Sequence, residues 1–587
     1  MAALHNLLAM FRLSGGSMKN RLRLVSLALL GFAAAFGALS FEEAPVAAQR
    51  KSDTEAKDGA LGKDWSKARD FLDEAYKAKR KEAKLTQSDR CTETEFLRRA
   101  YLDILGRVPS RDEVKAWLVP DTSTPEGMEF ARMKPQQKRE KLIDVLLASP
   151  EYGDNWGRLW ARTMIGREAD GSYKGMLEDW LTGQFAANRP WNELVFDLIT
   201  ASGSSENNKA IGYVISFEND RPALTGITSK VFLGKQIQCA QCHKHPYENI
   251  TTDDFLGMEN FFRFTGTGMT QLAKKGQPAI WQASDKSVPG TMDAFNKAIA
   301  KEGKIVQPKY LLGETYKPDA ANPPRKALAT WITSGDNKYF REMTVNRYMA
   351  LFLGYGFVQP TDDFNSNNTP TFPEILDRMA REFVASGFDL KYLIRIITTS
   401  DAYNASTTPK KTTGKYNDDR KFYSSAIVRR LSPEQVVFSI MRSIGVSDFG
   451  AKHNRDRRDG VLNYVLQSFN YAYSDDEGSR DLDDYSGSIP QALMMLNGNL
   501  LNDGTGAGGE TTLKRILAES DQEKMRGGLD SMNYIVQEIF LSTLNRWPEK
   551  WEAARFRKYV ENEPDRNKAW EDVFWALMNT TEYVTNH

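Results

Sequence analysis

Cys239-Ala240-Gln241-Cys242-His243 is a C-x-x-C-H run, and its spacing suits one piece of chemistry closely. Two thiols about one turn apart can add across the two vinyl groups of a single porphyrin. The histidine that follows is then placed to reach the iron through an imidazole nitrogen. The chain has 587 residues but only 3 cysteines and 5 histidines, and Cys239, Cys242, His243 and His245 all fall within positions 239–245. Residues this scarce do not cluster so tightly without a reason. The expectation is therefore a c-type haem bound through Cys239 and Cys242, with His243 as axial ligand.

Other readings of the same residues stay open. Met258 and Met269 lie downstream, where small cytochromes place a sixth ligand, and a five-coordinate iron is the alternative to either. His245 is two residues from His243, too close for the opposite haem face, which suits it to orienting a ligand. Alternatively, Cys239, Cys242, His243 and His245 hold zinc or a similar ion, although four ligands in so short a run strain a tetrahedron. In a third reading the two cysteines form a disulfide clip and no cofactor is present. A haem also needs an apolar wall. Val231, Phe232, Leu233, Phe255, Phe261, Phe262 and Phe264 are candidates for it, or else are ordinary core.

A second polar cluster comprises Asn346, Arg347, Asp362, Asp363 and Asn365. Paired carboxylates on a turn suit acid–base work or a cation, or simply cap the turn. Cys91, just before a helix start, reads as a buried thiol. His453 falls in a charged run typical of a solvated face, and His5 and His587 lie at the two ends of the sequence. Gly504 to Gly509 reads as a flexible loop and not as a phosphate loop, and a Gly-x-Ser-x-Gly elbow and a His-Glu-x-x-His string are missing from the sequence, so a hydrolytic nucleophile is not visible.

The compartment follows from the beginning of the chain. Met18-Lys19-Asn20-Arg21-Leu22-Arg23 is basic, Leu24 to Leu39 is apolar, and Val46-Ala47-Ala48 is a small-residue cleavage signal. This order predicts a secretory signal preceded by an upstream extension, together spanning 1–48. The expected location is periplasmic or secreted, with an N-terminal membrane tether if the signal stays uncleaved. The formal net charge of +1 argues against a nucleic-acid partner. The expected partners are an exported redox protein or other exported proteins.

The elements that must position these residues read as helices. Residues 49–63 form a polar linker. Helical periodicity then recurs through Trp65–Tyr76, Phe96–Leu105, Lys141–Leu147, Trp156–Met164 and Trp191–Leu198. Thr92 and Glu95 form a capping box, and Gly106 with Pro109 stops the helix they open. Thr265 to Pro324 is loop-rich with a few short strands. Helices resume at Arg325–Ile332, Glu342–Phe352, Ile375–Val384 and Leu390–Thr398. The fold class is mainly α, multi-helical, in two domains, 64–315 with the C-x-x-C-H motif and 316–587 beyond it. An internal echo accompanies this pattern. Tyr101-Leu102-Asp103-Ile104-Leu105-Gly106-Arg107-Val108-Pro109 resembles Phe540-Leu541-Ser542-Thr543-Leu544-Asn545-Arg546-Trp547-Pro548. Each is followed by a helical glutamate (Glu113, Glu552) and later by a helix ending in a tyrosine (Tyr152, Tyr583). Tyr403 ends a third such helix.

Gln238-Cys239-Ala240-Gln241-Cys242-His243-Lys244-His245-Pro246-Tyr247, with Asp253-Asp254-Phe255 and Asn260-Phe261-Phe262, resembles the Planctomycetes cytochrome-c-like family of unknown function. The second half resembles the domain that usually follows it, also of unknown function. That likeness rests on Asn322-Pro323-Pro324-Arg325, Val345-Asn346-Arg347, Gly354-Tyr355-Gly356-Phe357-Val358, Pro373-Glu374-Ile375-Leu376, Arg430-Leu431-Ser432-Pro433-Glu434-Gln435 and Ile489-Pro490-Gln491-Ala492-Leu493. Lys244, Tyr247 and Met349 depart from the usual residues without touching the cysteines or His243. The resemblance implies a c-type haem and supplies no reaction. The expected function is an exported haem protein in electron transfer. The alternative is a non-redox binding or scaffolding protein in which the cysteine loop is a clip or metal site.

Overall fold

Helix ends along the chain follow local rules. Thr92 Oγ1 accepts from Glu95 N–H at 3.2 Å, while Glu95 Oε2 accepts from Thr92 N–H at 2.7 Å, so two orphan donors of the helix Glu93–Leu105 are satisfied together. Ser110 with Glu113 and Ser432 with Gln435 repeat the device. Proline opens the helices Pro135–Ala148, Pro150–Ile165, Pro373–Ala385 and Pro433–Ile444, where its missing N–H is harmless.

The computed structural model describes residues 61–166, 171–272, 279–289, 291–300, 304–319, 321–412, 419–445, 504–506, 511–525 and 530–587. Among them are 21 α-helices and only short strands, so the chain is mainly α. The strands Gly203–Ser204, Ile280–Asp285 and Thr265–Gln271 form an antiparallel sheet in that order, with Ala283 opposite Gly203 on one side and Thr267 on the other. Arg429–Arg430 pairs with Thr585–Asn586. None of the helices is long and apolar enough to cross a membrane among the described residues. The secretory-signal segment, His453 and the Ile489–Leu493 match lie outside them.

Two buried clusters organise the interior. The larger runs through helices from Ala68 to Tyr423, and its centre is aromatic. Trp156 stacks on Tyr348 at 5.0 Å and 6°, and Trp160 meets Trp191 at 4.3 Å. Their indole N–H groups are satisfied or nearly so. Trp191 Nε1 donates to Thr344 Oγ1 at 3.1 Å and Trp160 Nε1 to Tyr348 Oη at 3.4 Å. Phe232 packs on Trp191 at 6.2 Å, which fixes the helix Arg221–Leu233 whose end leads to the cysteine turn. The smaller cluster joins Leu102 and Val108 to helices from Leu431 to Tyr583.

The internal echo is repeated atom for atom. Arg107 reaches Glu151 through Nε at 2.5 Å and Nη2 at 2.8 Å, and Glu113 through Nη1 at 2.9 Å and Nη2 at 3.0 Å. Arg546 reaches Glu582 at 2.6 and 2.9 Å and Glu552 at 2.8 and 2.9 Å through the same nitrogens. Each guanidinium lies against the aromatic six residues earlier, Tyr101 at 5.2 Å and Phe540 at 5.3 Å. The terminal tyrosines Tyr152, Tyr403 and Tyr583 are all buried. Tyr403 and Tyr583 each donate their N–H to a hydroxyl three residues back, Ser400 Oγ at 3.3 Å and Thr580 Oγ1 at 3.2 Å.

Candidate functional site

The cysteine turn begins where a helix must stop. Gly234 adopts φ +65°, a left-handed conformation that ends Arg221–Leu233. A Cβ there would also lie 2.7 Å from the Phe364 ring and 2.9 Å from Met343 Sδ. The chain then forms a 3₁₀ turn over Gln238–Gln241. Ala240 is buried and pins the turn to the core, leaving Cys239, Cys242 and His243 exposed on its outer side. Cys239 O receives the N–H groups of Cys242 at 3.5 Å and His243 at 3.4 Å, which closes the turn that carries all three residues.

The two histidines have different tasks. His243 Nδ1 lies 2.8 Å from Lys244 O, an acceptor only, so Nδ1–H is the donor and Nε2 is the ring nitrogen left for other contacts. His245 is buried and its Nδ1 accepts from Tyr247 N–H at 3.3 Å and Glu248 N–H at 3.1 Å. Its own N–H donates to Ile250 O at 2.9 Å. His245 thus shapes the turn that follows the motif. Glu248 is held by Lys235 at 2.9 Å, and Lys235 lies over the Tyr339 ring.

Met258 is fully buried on the helix Thr252–Glu259, while Met269 is 42% exposed on a strand. Val231, Phe232, Leu233, Phe255, Phe261, Phe262 and Phe264 are all buried in the main cluster. Phe261 packs on Tyr310 at 4.9 Å and Phe264 on Phe295 at 5.7 Å. These side chains are used by the core and form no open slot for a macrocycle. Among the described residues, no group of three or more His, Cys, Asp and Glu side chains is placed to hold a metal ion. Both thiols and His243 Nε2 are accessible on one turn, the donor types a c-type haem uses. Of the rings beside them, Tyr247 is 58% exposed.

The second polar cluster lies against this turn. Asn346 is fully buried and holds the loop after its helix, with Nδ2 donating to Val358 O at 3.2 Å and Thr361 O at 2.8 Å, and Oδ1 accepting from Val358 N–H at 3.0 Å. Asp362 is buried, 3.5 Å from Arg347 and 3.6 Å from Lys230, and accepts from Gln236 Nε2 at 3.2 Å. Arg347 lies over Trp160. Asn365 Oδ1 accepts from Asn367 N–H, and Asp363 O accepts from Asn368 Nδ2, which are turn-building bonds. Asn346, Asp362 and Asn365 are therefore packed as scaffold, while Asp363 enters the turn through its backbone. Gln236, Phe364 and Ser366, which join this loop to the turn, carried no sequence signal beyond their nearness to flagged residues.

Cys91 is buried with Arg139 Nη1 3.6 Å from its sulfur. His587 packs beside Arg99, and burial pushes its imidazole below the ordinary range.

Neither a curated protein nor a solved structure matches the chain. Two family profiles do, and they meet at this site. Residues 71–267, with the cysteine turn, match a protein of unknown function (DUF1549, PSCyt2), and residues 324–456, with the Asp362 loop, match a protein of unknown function (DUF1553, PSD1), in that order along the chain.

Proposed function

We propose that the turn Cys239–His243 is the attachment point of a c-type haem and that the protein exchanges electrons with a partner outside the cytoplasm. One observation carries the reading. Two exposed thiols lie on the same turn as an exposed imidazole whose Nδ1 bonds Lys244 O, which leaves Nε2 as the ring nitrogen available to a ligand. Cys239 and Cys242 would hold the group through thioether bonds and His243 Nε2 would bind the iron. When bound, haem supplies a one-electron couple. The rest falls to the chain. Ala240 anchors the turn, Lys244 O fixes the His243 tautomer, and His245 holds the following loop by two backbone N–H groups. An exposed position suits electron exchange, which needs a close edge-to-edge approach.

The test is expression of the full chain with haem-attachment machinery. A covalent haem stain on a denaturing gel and a sharp c-type reduced α-band are expected, both weakened in Cys239→Ala. Absence of both in soluble wild-type protein refutes the proposal. One observation favours a second reading: both thiols are exposed and three residues apart, an arrangement open to an intrachain disulfide after export. The protein would then be a non-redox binding or scaffolding protein with the turn as a clip.

A further inference from the structure

The cysteine turn is gripped on both flanks by one stretch of the second matched segment. Asp362, Phe364 and Ser366 stand at alternate positions, and each takes a different hold. Asp362 Oδ1 accepts from Gln236 Nε2 at 3.2 Å, three positions before Cys239. Phe364 N–H donates to Gly234 O at 2.8 Å, and its ring fills the space a Gly234 side chain would need. Ser366 Oγ donates to Tyr247 O at 2.5 Å, four positions after His243. Asp362 is itself braced by Arg347 and Lys230, so the hold is tied to two helices. Simple loop closure needs contacts on one side only. Here both ends of the C-x-x-C-H run are clamped while the thiols between them stay exposed.

We propose that Asp362–Ser366 is a positioning strap that sets the geometry of Cys239, Cys242 and His243, making the second segment part of the site's chemistry. The proposal deepens the haem reading, but its thiol form stands without haem. Residues three apart on a 3₁₀ turn are separated by about 6 Å, within the span a disulfide bridges, so a strapped turn is held ready for closure. The probe reaction is exchange with glutathione disulfide. The Cys239–Cys242 bond forms, the glutathione S–S bond breaks, and the two thiol protons end on two molecules of reduced glutathione.

The full chain, made without haem, is equilibrated in glutathione buffers and the oxidised fraction is read by mass. Ser366→Ala, at an exposed residue whose loss spares the fold, should lower the equilibrium constant about threefold or more, the scale of one lost hydrogen bond. Asp362→Asn should move it the same way, and Ser366→Thr should restore the wild-type value. If Ser366→Ala and Asp362→Asn both keep the wild-type constant, the strap is refuted. Haem loading is scored separately. A shifted constant with no haem on the wild type sinks the haem reading alone, and loaded haem with an unshifted constant sinks the strap alone.

Discussion

The twin arginine cages give a prediction with an internal control. Arg107 and Arg546 make the same four hydrogen bonds to two carboxylates, but side-chain exposure is 3% for Arg107 and 26% for Arg546. If bond number decides the energetics, Arg107→Met and Arg546→Met cost the same. If burial decides, they do not. Removing Arg107 empties a buried guanidinium site and leaves Glu113, with Arg442 at 3.3 Å as its remaining cation, facing Glu151, a loss of about 3 kcal/mol. Water can replace much of the Arg546 contact, so its loss falls to about 1–2 kcal/mol. Acid titration gives a second handle. Burial alone would raise the Glu113 pKa, but the hydrogen bonds and charge of Arg107 outweigh it and hold the carboxyl at about 2, against an ordinary 4.5. A depressed carboxylate contributes stability above its unfolded pKa and loses it as pH falls through the folded one. Wild type should therefore lose about 3 kcal/mol from this group between pH 4.5 and 2, and Arg107→Met should lack most of that component, with Arg442 and the Ser110 N–H left to supply the rest. Urea unfolding of the three proteins across pH measures both effects. Equal costs for the two substitutions, or a larger one at Arg546, would refute burial as the deciding factor.

Three further outcomes are expected. Burial and the neighbouring Asp401 raise Asp73 to about 7 from 3.8, so this group makes stability fall as pH rises from about 4 to 7. Asp73→Asn should stabilise by up to about 4 kcal/mol at pH 8 and by nothing at pH 4, as read by urea midpoints. Gly234→Ala forces a left-handed alanine against Phe364 and should cost about 2–3 kcal/mol, with faster proteolysis near the turn. Asn346→Ala leaves buried carbonyls and an N–H of the loop 358–361 unpaired, and should cost about 3 kcal/mol in thermal or urea unfolding.

Much of the fold was legible because it is locally encoded. The Thr92–Glu95 and Ser432–Gln435 boxes, the Gly106 stop and the apolar stripes of Trp156–Met164 and Leu390–Thr398 each depend on residues within a turn or two. The echo between 101–109 and 540–548 was visible in order and type, but the shared arginine cage was not, since its second carboxylate lies 44 residues away in one copy and 36 in the other. At the site, the C-x-x-C-H run declares itself by composition. What surrounds it does not. Phe261 and Phe264 look equally apolar whether they line a slot or fill a core, and their ring partners Tyr310 and Phe295 decide for the core. The link from Gln236 to Asp362 spans 126 positions, and that from Tyr247 to Ser366 spans 119, so no periodicity could show them.

Intact-mass measurement of the exported full chain, made alongside haem-attachment machinery, bears most directly on the central claim. The account predicts a gain of one haem that maps to the peptide bearing Cys239 and Cys242 and disappears when both cysteines are replaced by Ala. A chain of unmodified mass, or one lighter by the two hydrogens of a disulfide, would contradict it.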